Sequence, residues 1–165
     1  QAHEGRKKCR KGLLLMILLI ERCLGAGVSV DGVQVSRTGR GLAVFAGVET
    51  NDTREDAVKA AAKICGMRIF ENESGKMDLC VTDVRGEILL VSNFTLCGDA
   101  SHGRRPDFTQ AARPENANAL YLVLAEELAK TVTVKCGVFG ADMKVAVEND
   151  GPVNIIYETG AKRKE

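Results

Sequence analysis

Two hydroxyls and an amide stand within one short stretch, Val91-Ser92-Asn93-Phe94-Thr95-Leu96-Cys97-Gly98. Upstream, Glu87-Ile88-Leu89-Leu90-Val91 is apolar and β-branched enough for an interior strand. Ser92, Asn93 and Thr95 therefore fall where that strand ends, and loops held at strand ends by a rigid scaffold are where binding and catalytic groups concentrate. The backbone N–H groups of such a loop are a second resource. Donors preorganised around a developing oxyanion are worth about 3–4 kcal/mol each, so a loop of this kind can promote acyl transfer without a strong base. The same side chains also bond their own backbone in ordinary turns, and the segment by itself leaves both readings open.

Gly151-Pro152, after Glu148-Asn149-Asp150, is the second feature with chemical use. Glycine lets two backbones approach closely, and an X-Pro bond adopts the cis form at modest cost, which would aim the neighbouring carbonyls in one direction. A plain hairpin turn is the alternative. Other chemistries find less support. His102, the one histidine inside the expected domain, sits in a loop beside Arg104 and Arg105 and reads as a surface side chain before a general base, which leaves an unrelated dimeric esterase pairing it with Thr95 or Ser92 as the weaker alternative. Gly98 and Gly103 fit neither nucleotide-binding glycine pattern. Asp83, Glu87, Asp142 and Glu148 read as strand-end and surface charges. The six cysteines contain no C-x-x-C pair and the two histidines stand apart, which argues against structural zinc and for free buried thiols in a reducing compartment.

At 165 residues the chain has room for one core and not for a second. With 45% hydrophobic and 27% charged residues it groups with soluble globular proteins. Lys plus Arg number 23 against 22 Asp plus Glu, so there is no global basic field, and any RNA contact must come from local patches. Residues 1–15 read as a basic and apolar leader, 16–159 as the domain, and 160–165 as a charged tail. The apolar run Leu13 to Ile20 is far short of the ~20 residues that span a bilayer, and no small-residue cleavage site follows it. No membrane partner is expected.

The elements that must position these groups follow from periodicity. Ile17 to Cys23, Val28 to Val30 and Val33 to Val35 read as strands, the last two joined by Asp31-Gly32, a strong hairpin signal. Leu42 to Val48 is nearly continuous apolar sequence, a strand buried on both faces. Asn51 or Asp52 can cap a helix over about 53–65, with Val58, Ala61, Ala62 and Cys65 on its inner face and Gly66 at its end. Residues 71–76 form a polar turn before a short strand from Met77 to Val81, and 99–108 is a loop with the most basic patch outside the leader. A second helix runs from Pro114 to about Lys130, its apolar face drawn from Ala119, Leu122, Val123, Glu126 and Ala129. Three strands, Val132 to Val138, Met143 to Val147 and Val153 to Tyr157, complete the pattern. Strands outnumber helices without alternating with them, which predicts an α+β fold, a curled, barrel-like sheet body with two packed helices.

From Met16 to Thr159 the order and spacing of motifs resemble the D-aminoacyl-tRNA deacylases, formerly called D-tyrosyl-tRNA deacylases. The resemblance is carried by Met16 to Cys23 with Ala26 to Gly32, Gly41-Leu42, Arg68 to Glu71, Gly75-Lys76-Met77 with Leu79, Val91 to Leu96, Gly103-Arg104-Arg105-Pro106 with Phe108, Phe139 to Met143, and Asn149 to Val153. It implies a cytoplasmic homodimer with active sites at the subunit interface and neither metal nor organic cofactor. The implied reaction is hydrolysis of the ester between a D-amino acid and the 3′ adenosine of tRNA, with mischarged glycyl-tRNA as a further substrate and L-aminoacyl-tRNA rejected. By position, Ser92, Asn93, Phe94 and Thr95 would form the catalytic loop, with Thr95 positioning first and nucleophile second. Gly151 and Pro152, through a cis bond, would enter the partner's site and select chirality, and Asn149, Met143, Phe139 and Arg104 would help to hold substrate. Two positions depart from the family pattern: Asn93 stands where Gln is usual and Asn154 where Thr is usual. Loss of one methylene at Asn93 withdraws a hydrogen bond by about 1.5 Å, and a misplacement of that size can cost on the order of a hundredfold in rate. The alternative implied by these departures is a catalytically impaired tRNA- or nucleic-acid-binding homologue of the same fold.

Overall fold

A computed structural model describes residues 15–160; the leader up to residue 14 and the tail from residue 161 lie outside the described residues. Asp31 and Gly32 both take positive φ, 49° and 77°, and close the two-residue turn between β1 (Ile17–Val30) and β2 (Val33–Thr38). Next comes β3 (Gly41–Gly47), and then α1 (Arg54–Gly66), β4 (Phe70–Glu71), β5 (Met77–Leu79) and β6 (Glu87–Ser92). A four-residue 3-10 turn, Phe94–Cys97, follows β6 directly, before α2 (Pro114–Ala129), β7 (Thr133–Cys136) and β8 (Lys144–Glu158).

β1 is the spine of the sheet. Along one edge its first half pairs with β3 and its second half with β2, while β8 runs antiparallel along the other edge from Ile17 to Ser29. β3, β6 and β7 continue the sheet in parallel. The result is a nearly closed, barrel-like mixed sheet with two helices, an α+β architecture. Sequence periodicity separates Ile17 to Cys23 from Val28 to Val30, yet β1 is unbroken. Ala26 and Gly27 are paired on both edges and Gly25 on one, which carries the strand through a segment where local pattern alone does not demand it.

The continuous apolar runs of β3 and β6 have a simple cause. Leu42, Val44, Ala46, Ile88 and Leu90 face one core cluster, shared with both helices, and Ala43, Leu89 and Val91 face a second cluster closed by Cys23, Ala26 and Val28 of β1. Both faces are buried, so alternation disappears.

The inner faces of the helices match the sequence expectation only in part, with Ala61 buried and Cys65 and Val123 packed against the core. α1 buries Ala57, Ala60, Ala61 and Ile64, while Val58 and Ala62 face outward. α2 buries Ala117, Tyr121, Leu124 and Leu128, and Ala119, Leu122, Glu126 and Ala129 lie on its exposed side. Both helices are apolar enough to offer more than one stripe, and in α2 the stripe with the larger side chains and no carboxylate is the one that packs. The α1 cap is Thr53 rather than Asn51 or Asp52: its N–H and Oγ1 both donate to Asp56 Oδ2, at 2.8 and 2.9 Å. The five described cysteines are free, but only Cys23 and Cys97 are buried; Cys65, Cys80 and Cys136 are half-buried, against the expectation of burial throughout. Among the described residues no helix is long and apolar enough to cross a membrane.

Ahead of α1, Asp52 Oδ2 accepts the Glu49 N–H at 2.7 Å. Burial, with further push from the Asp56 and Glu49 carboxylates, raises its pKa from the ordinary 3.8 to about 7. The folded protein therefore holds a proton that the unfolded chain releases between those values. The stability this provides is complete below the unfolded pKa and lost as pH rises through 7. Asp52→Asn is expected to raise Tm at pH 8 and to flatten the decline in Tm between pH 4 and 7, read from thermal melts of both proteins; parallel pH profiles would contradict this.

Candidate active site

The last rung of the β3–β6 ladder sets the position of the polar stretch. Ser92 lies opposite Ala46, and the Asn93 N–H donates to the Ala46 carbonyl at 2.8 Å. Asn93 then turns the chain at φ −149°, ψ 88° into the 3-10 turn, whose first i→i+3 bond runs from Leu96 N to Asn93 O at 3.3 Å. The N–H groups of Phe94 and Thr95 precede that bond and so have no partner within the turn. The Thr95 hydroxyl donates to Asn93 Oδ1 at 2.5 Å.

Two glycines make this seating sterically permissible. A Cβ at Gly47 would stand 3.0 Å from Leu96 Cβ and 3.1 Å from both Asn93 O and Cys97 Sγ, so β3 can approach the turn only through glycine. A Cβ at Gly98 would meet the Phe108 ring at 2.7 Å. Phe108 is thereby free to lie edge-on to Phe94, ring centroids 5.3 Å apart. Phe94 is 58% exposed and Phe108 36%, large apolar surface for solvent to see.

These rings belong to a pocket of about 820 Å³. Ser92, Asn93, Phe94 and Thr95 line one wall, Phe139 to Met143 another, and Tyr121 with Phe45 line it as well. Tyr121 donates its hydroxyl to the Leu90 carbonyl at 2.8 Å, tying α2 to β6, and burial raises its pKa so that the proton stays on. Gly137 leaves room for the Met143 sulfur, which a Cβ there would meet at 2.7 Å. Cys97 is no thiolate nucleophile: burial, aided by the Glu49 and Asp52 carboxylates, pushes its thiol up to about 12. Asp142 also lines the pocket, its carboxylate paired with Lys144 Nζ at 3.0 Å. The polar corner at Ser92 to Thr95 is thus uncharged, a hydroxyl–amide–N–H set in apolar surroundings.

Gly151-Pro152 is neither a hairpin turn nor a break between two strands. It lies inside β8, which is continuous where two strands are expected, and its peptide bond is cis. Opposite the single residue Arg22, Asp150 to Val153 leave the β1–β8 ladder between the pairs Glu21↔Asn154 and Cys23↔Asn149. Gly151 there has φ 123°, a region that favours glycine. Arg22, almost wholly buried, holds this bulge: Nη1 donates to the Ile69 carbonyl at 2.8 Å, and Nε donates to the Asp150 carbonyl at 3.1 Å and lies 3.3 Å from its carboxylate.

Of the residues singled out in the sequence, Ser92, Asn93, Phe94, Thr95, Phe139 and Met143 come together in one pocket. Gly151, Pro152, Asn149 and Arg104 do not line it; the first three are exposed on β8 and Arg104 is exposed in the loop after Gly98. Asn154 is exposed on β8, opposite Glu21. Tyr121, Phe45 and Asp142 line the pocket without having been singled out as site residues. Tyr121 carries the one available signal, a polar tip among the apolar residues of α2, whereas Phe45 is indistinguishable from its neighbours in an apolar strand. Asp142 is both the surface charge expected and a pocket residue.

An uncharged donor corner in an apolar pocket, carried on a barrel-like α+β frame, is the layout of an acyl-ester hydrolase. The chain belongs to the D-Tyr-tRNA(Tyr) deacylase family, whose model matches residues 19–158. It is 48% identical over 146 residues to the D-aminoacyl-tRNA deacylase of Persephonella marina, an alignment spanning 88% of this chain and 99% of the relative. A second D-aminoacyl-tRNA deacylase, from a Thermoanaerobacter species, is 45% identical, with 87% and 97% covered. Among solved structures, the c-Myc DNA Unwinding Element Binding Protein superposes with a TM-score of 0.84 at 40% identity, covering 88% of this chain and 99% of that one. A probable eukaryotic D-amino acid tRNA deacylase shares the fold, with a TM-score of 0.76 at 19% identity and coverage of 88% and 100%.

Removing Arg22 would leave the Ile69 and Asp150 carbonyls without their donor and the Asp150 carboxylate without its cation. Arg22→Ala is expected to lower the unfolding free energy by about 2–4 kcal/mol, measured by urea denaturation. A loss below about 0.5 kcal/mol, the range of ordinary surface substitutions, would show that the bulge holds itself.

Proposed function

We propose that the protein hydrolyses the ester joining a D-amino acid to the 3′ adenosine of tRNA, releases free tRNA, clears mischarged glycine in the same way, and leaves L-aminoacyl-tRNA intact. The observation that carries this reading is the hydroxyl–amide–N–H corner of Ser92 to Thr95 inside a largely apolar pocket on the family's fold. The shared name of the relatives supports the substrate.

In this reading the terminal nucleoside enters the pocket between the Phe94–Phe108 pair and Phe139, with the ester carbonyl against the Phe94 and Thr95 N–H groups. Water adds to the carbonyl carbon, those donors take the oxyanion, and collapse expels the ribose 3′ oxygen, which takes up a proton. The neighbouring ribose 2′ hydroxyl is placed to assist these transfers. Thr95 has its own hydrogen committed to Asn93 Oδ1, so its remaining lone pairs accept from and orient water rather than attack. Selectivity comes from a second copy. The exposed Gly151-Pro152 bulge lies away from the pocket of its own chain, and in a homodimer it would enter the partner pocket, where its carbonyls hold the substrate ammonium. An L side chain would collide with the bulge there, a D side chain would point away, and glycine has nothing to exclude. A translation-editing enzyme of this kind works in the cytoplasm.

A second reading, nucleic-acid binding without turnover, is favoured by the name of the 40% identical c-Myc DNA Unwinding Element Binding Protein and by Asn93 and Asn154.

Incubation with D-Tyr-tRNA, L-Tyr-tRNA and Gly-tRNA separates the two. The first and third are expected to decay well above buffer and the second at the buffer rate; equal decay of all three at the buffer rate would sink the hydrolase. Thr95→Ala is expected to reduce kcat about ten- to a hundredfold. A fall on the order of a millionfold, as for an obligatory covalent nucleophile, would overturn the positioning role.

A further inference from the structure

The rim of the pocket carries a charge pattern that the hydrolytic reading leaves unused. Ala111, Ala112 and Pro114 line the pocket, and Arg113 stands between them in the chain with its side chain exposed. On the neighbouring side, Asp99 and Asp107 exchange backbone hydrogen bonds at 2.8 and 2.9 Å, so that residues 100–106 form a closed loop directly before Phe108, itself a lining residue. Arg104 and Arg105 are exposed in this loop.

Among the described residues none of the three guanidinium groups has a hydrogen-bond or ion-pair partner. Some exposed cations elsewhere are engaged, Arg68 with Asp78, Lys130 with Glu127 and Lys144 with Asp142, and others such as Arg54 and Arg85 stand singly. The acidic residues of the rim are turned inward to backbone, with Asp99 Oδ1 accepting Ser101 N at 2.9 Å and Asp107 Oδ1 accepting Thr109 N at 2.7 Å. With a formal net charge of only +1 for the chain, what sets these three arginines apart is their grouping within residues 104–113, beside the lining residues Phe108, Ala111, Ala112 and Pro114. A nucleoside in the pocket continues into its polymer through the 5′ phosphate, and a strand leaving past Phe108 and Ala111 would cross this rim. Guanidinium groups match phosphate oxygens in a two-pronged geometry and tolerate any base.

We infer that Arg104, Arg105 and Arg113 form a phosphate-binding rail that holds the single-stranded 3′ end of the RNA, gripping the phosphodiesters just 5′ of the terminal nucleoside. The inference rests on the reading of the pocket as the seat of a tRNA terminal nucleoside. The rail carries no sequence information. It supplies affinity and sets the direction in which the strand runs, so that the ester arrives at the Ser92 to Thr95 corner.

The test is the salt dependence of uncharged tRNA binding to the full chain, followed by fluorescence anisotropy between about 50 and 200 mM salt. Each single-strand phosphate neutralised contributes roughly 0.7 to the slope of log K against log salt, so Arg104→Ala, Arg105→Ala and Arg113→Ala together should reduce the slope by about 2. The corresponding triple lysine variant should keep the wild-type slope, showing that charge and not folding is read. A tRNA trimmed of its unpaired 3′ nucleotides should bind the wild type with the reduced slope, and the alanine substitutions should change nothing further.

An unchanged slope in the triple alanine variant overturns the rail. An equal slope loss with intact and trimmed tRNA, or double-stranded DNA bound with the same slope as tRNA, overturns its assignment to the single-stranded end. Ester decay separates this proposal from the function it deepens. Hydrolysis with an unchanged slope removes the rail alone, and the expected slope loss without hydrolysis supports the rail while removing the hydrolase.

Discussion

Arg22 is the interaction on which the arrangement depends. A buried guanidinium has to be fully satisfied or it is costly, and here its partners come from two distant parts of the chain, the Ile69 carbonyl ahead of β4 and Asp150 in β8. The β1–β8 ladder gives way around that side chain: four residues of β8 stand opposite one of β1, and the displaced segment contains Gly151-Pro152. One charged residue in the middle of the longest strand pairing therefore determines where the sheet stops pairing and which backbone it presents outward. The neighbouring rungs, Ile20↔Ile155 on one side and Gly25↔Glu148 on the other, restore the ladder within a few residues. The bulge is a local exception held in a continuous sheet.

A second constraint is steric and works at the end of β3. β3 and β6 are parallel neighbours, and the chain leaving β6 has to turn tightly over the end of β3. Glycine at 47 lets that turn sit against the sheet, and glycine at 98 lets Phe108 close against it. The polar atoms of Ser92, Asn93 and Thr95 are consequently carried at the lip of an apolar core, where hydrogen bonds to an uncharged ester gain from a reduced dielectric. Cys97, with its proton retained, contributes packing and a weak bond to the Val48 carbonyl at 3.5 Å.

Much of the frame was legible in the sequence, for reasons that are local. Asp31-Gly32 names its own turn, the apolar runs in β3 and β6 name doubly buried strands, and the extents of both helices follow from Pro114, Gly66 and the polar residues around them. What could not be read depended on contacts distant in sequence. β1 is continuous because β2 and β8 pair with its pattern-poor middle, and β8 resumes its pairing with β1 on both sides of the Asp150 to Val153 bulge. The inner faces of α1 and α2 were misjudged because several apolar stripes compete and the sheet chooses among them. Within the site, the Ser92 to Thr95 corner was legible as a strand end with unusual polarity. Phe139 and Met143 were placed by family resemblance alone, and Tyr121 and Phe45 were hidden in elements that look like plain core. Gly151-Pro152 illustrates the limit: the residues advertise a bend, but only the pairing with Arg22 makes it an outward bulge.

The central proposal is that the Ser92 to Thr95 corner and the Gly151-Pro152 bulge act together only when contributed by two copies of the chain. Subunit mixing tests it directly, with Ala112→Trp to fill the pocket of one copy and Gly151→Trp to disrupt the bulge of the other. Each homodimer should be inactive on D-Tyr-tRNA. After random reassortment half of the dimers are mixed and each has one intact composite site, so about a quarter of the wild-type rate should return. No recovery in a mixture shown by mass to contain heterodimers, or full activity from a protein that sediments as a monomer, would contradict the shared site.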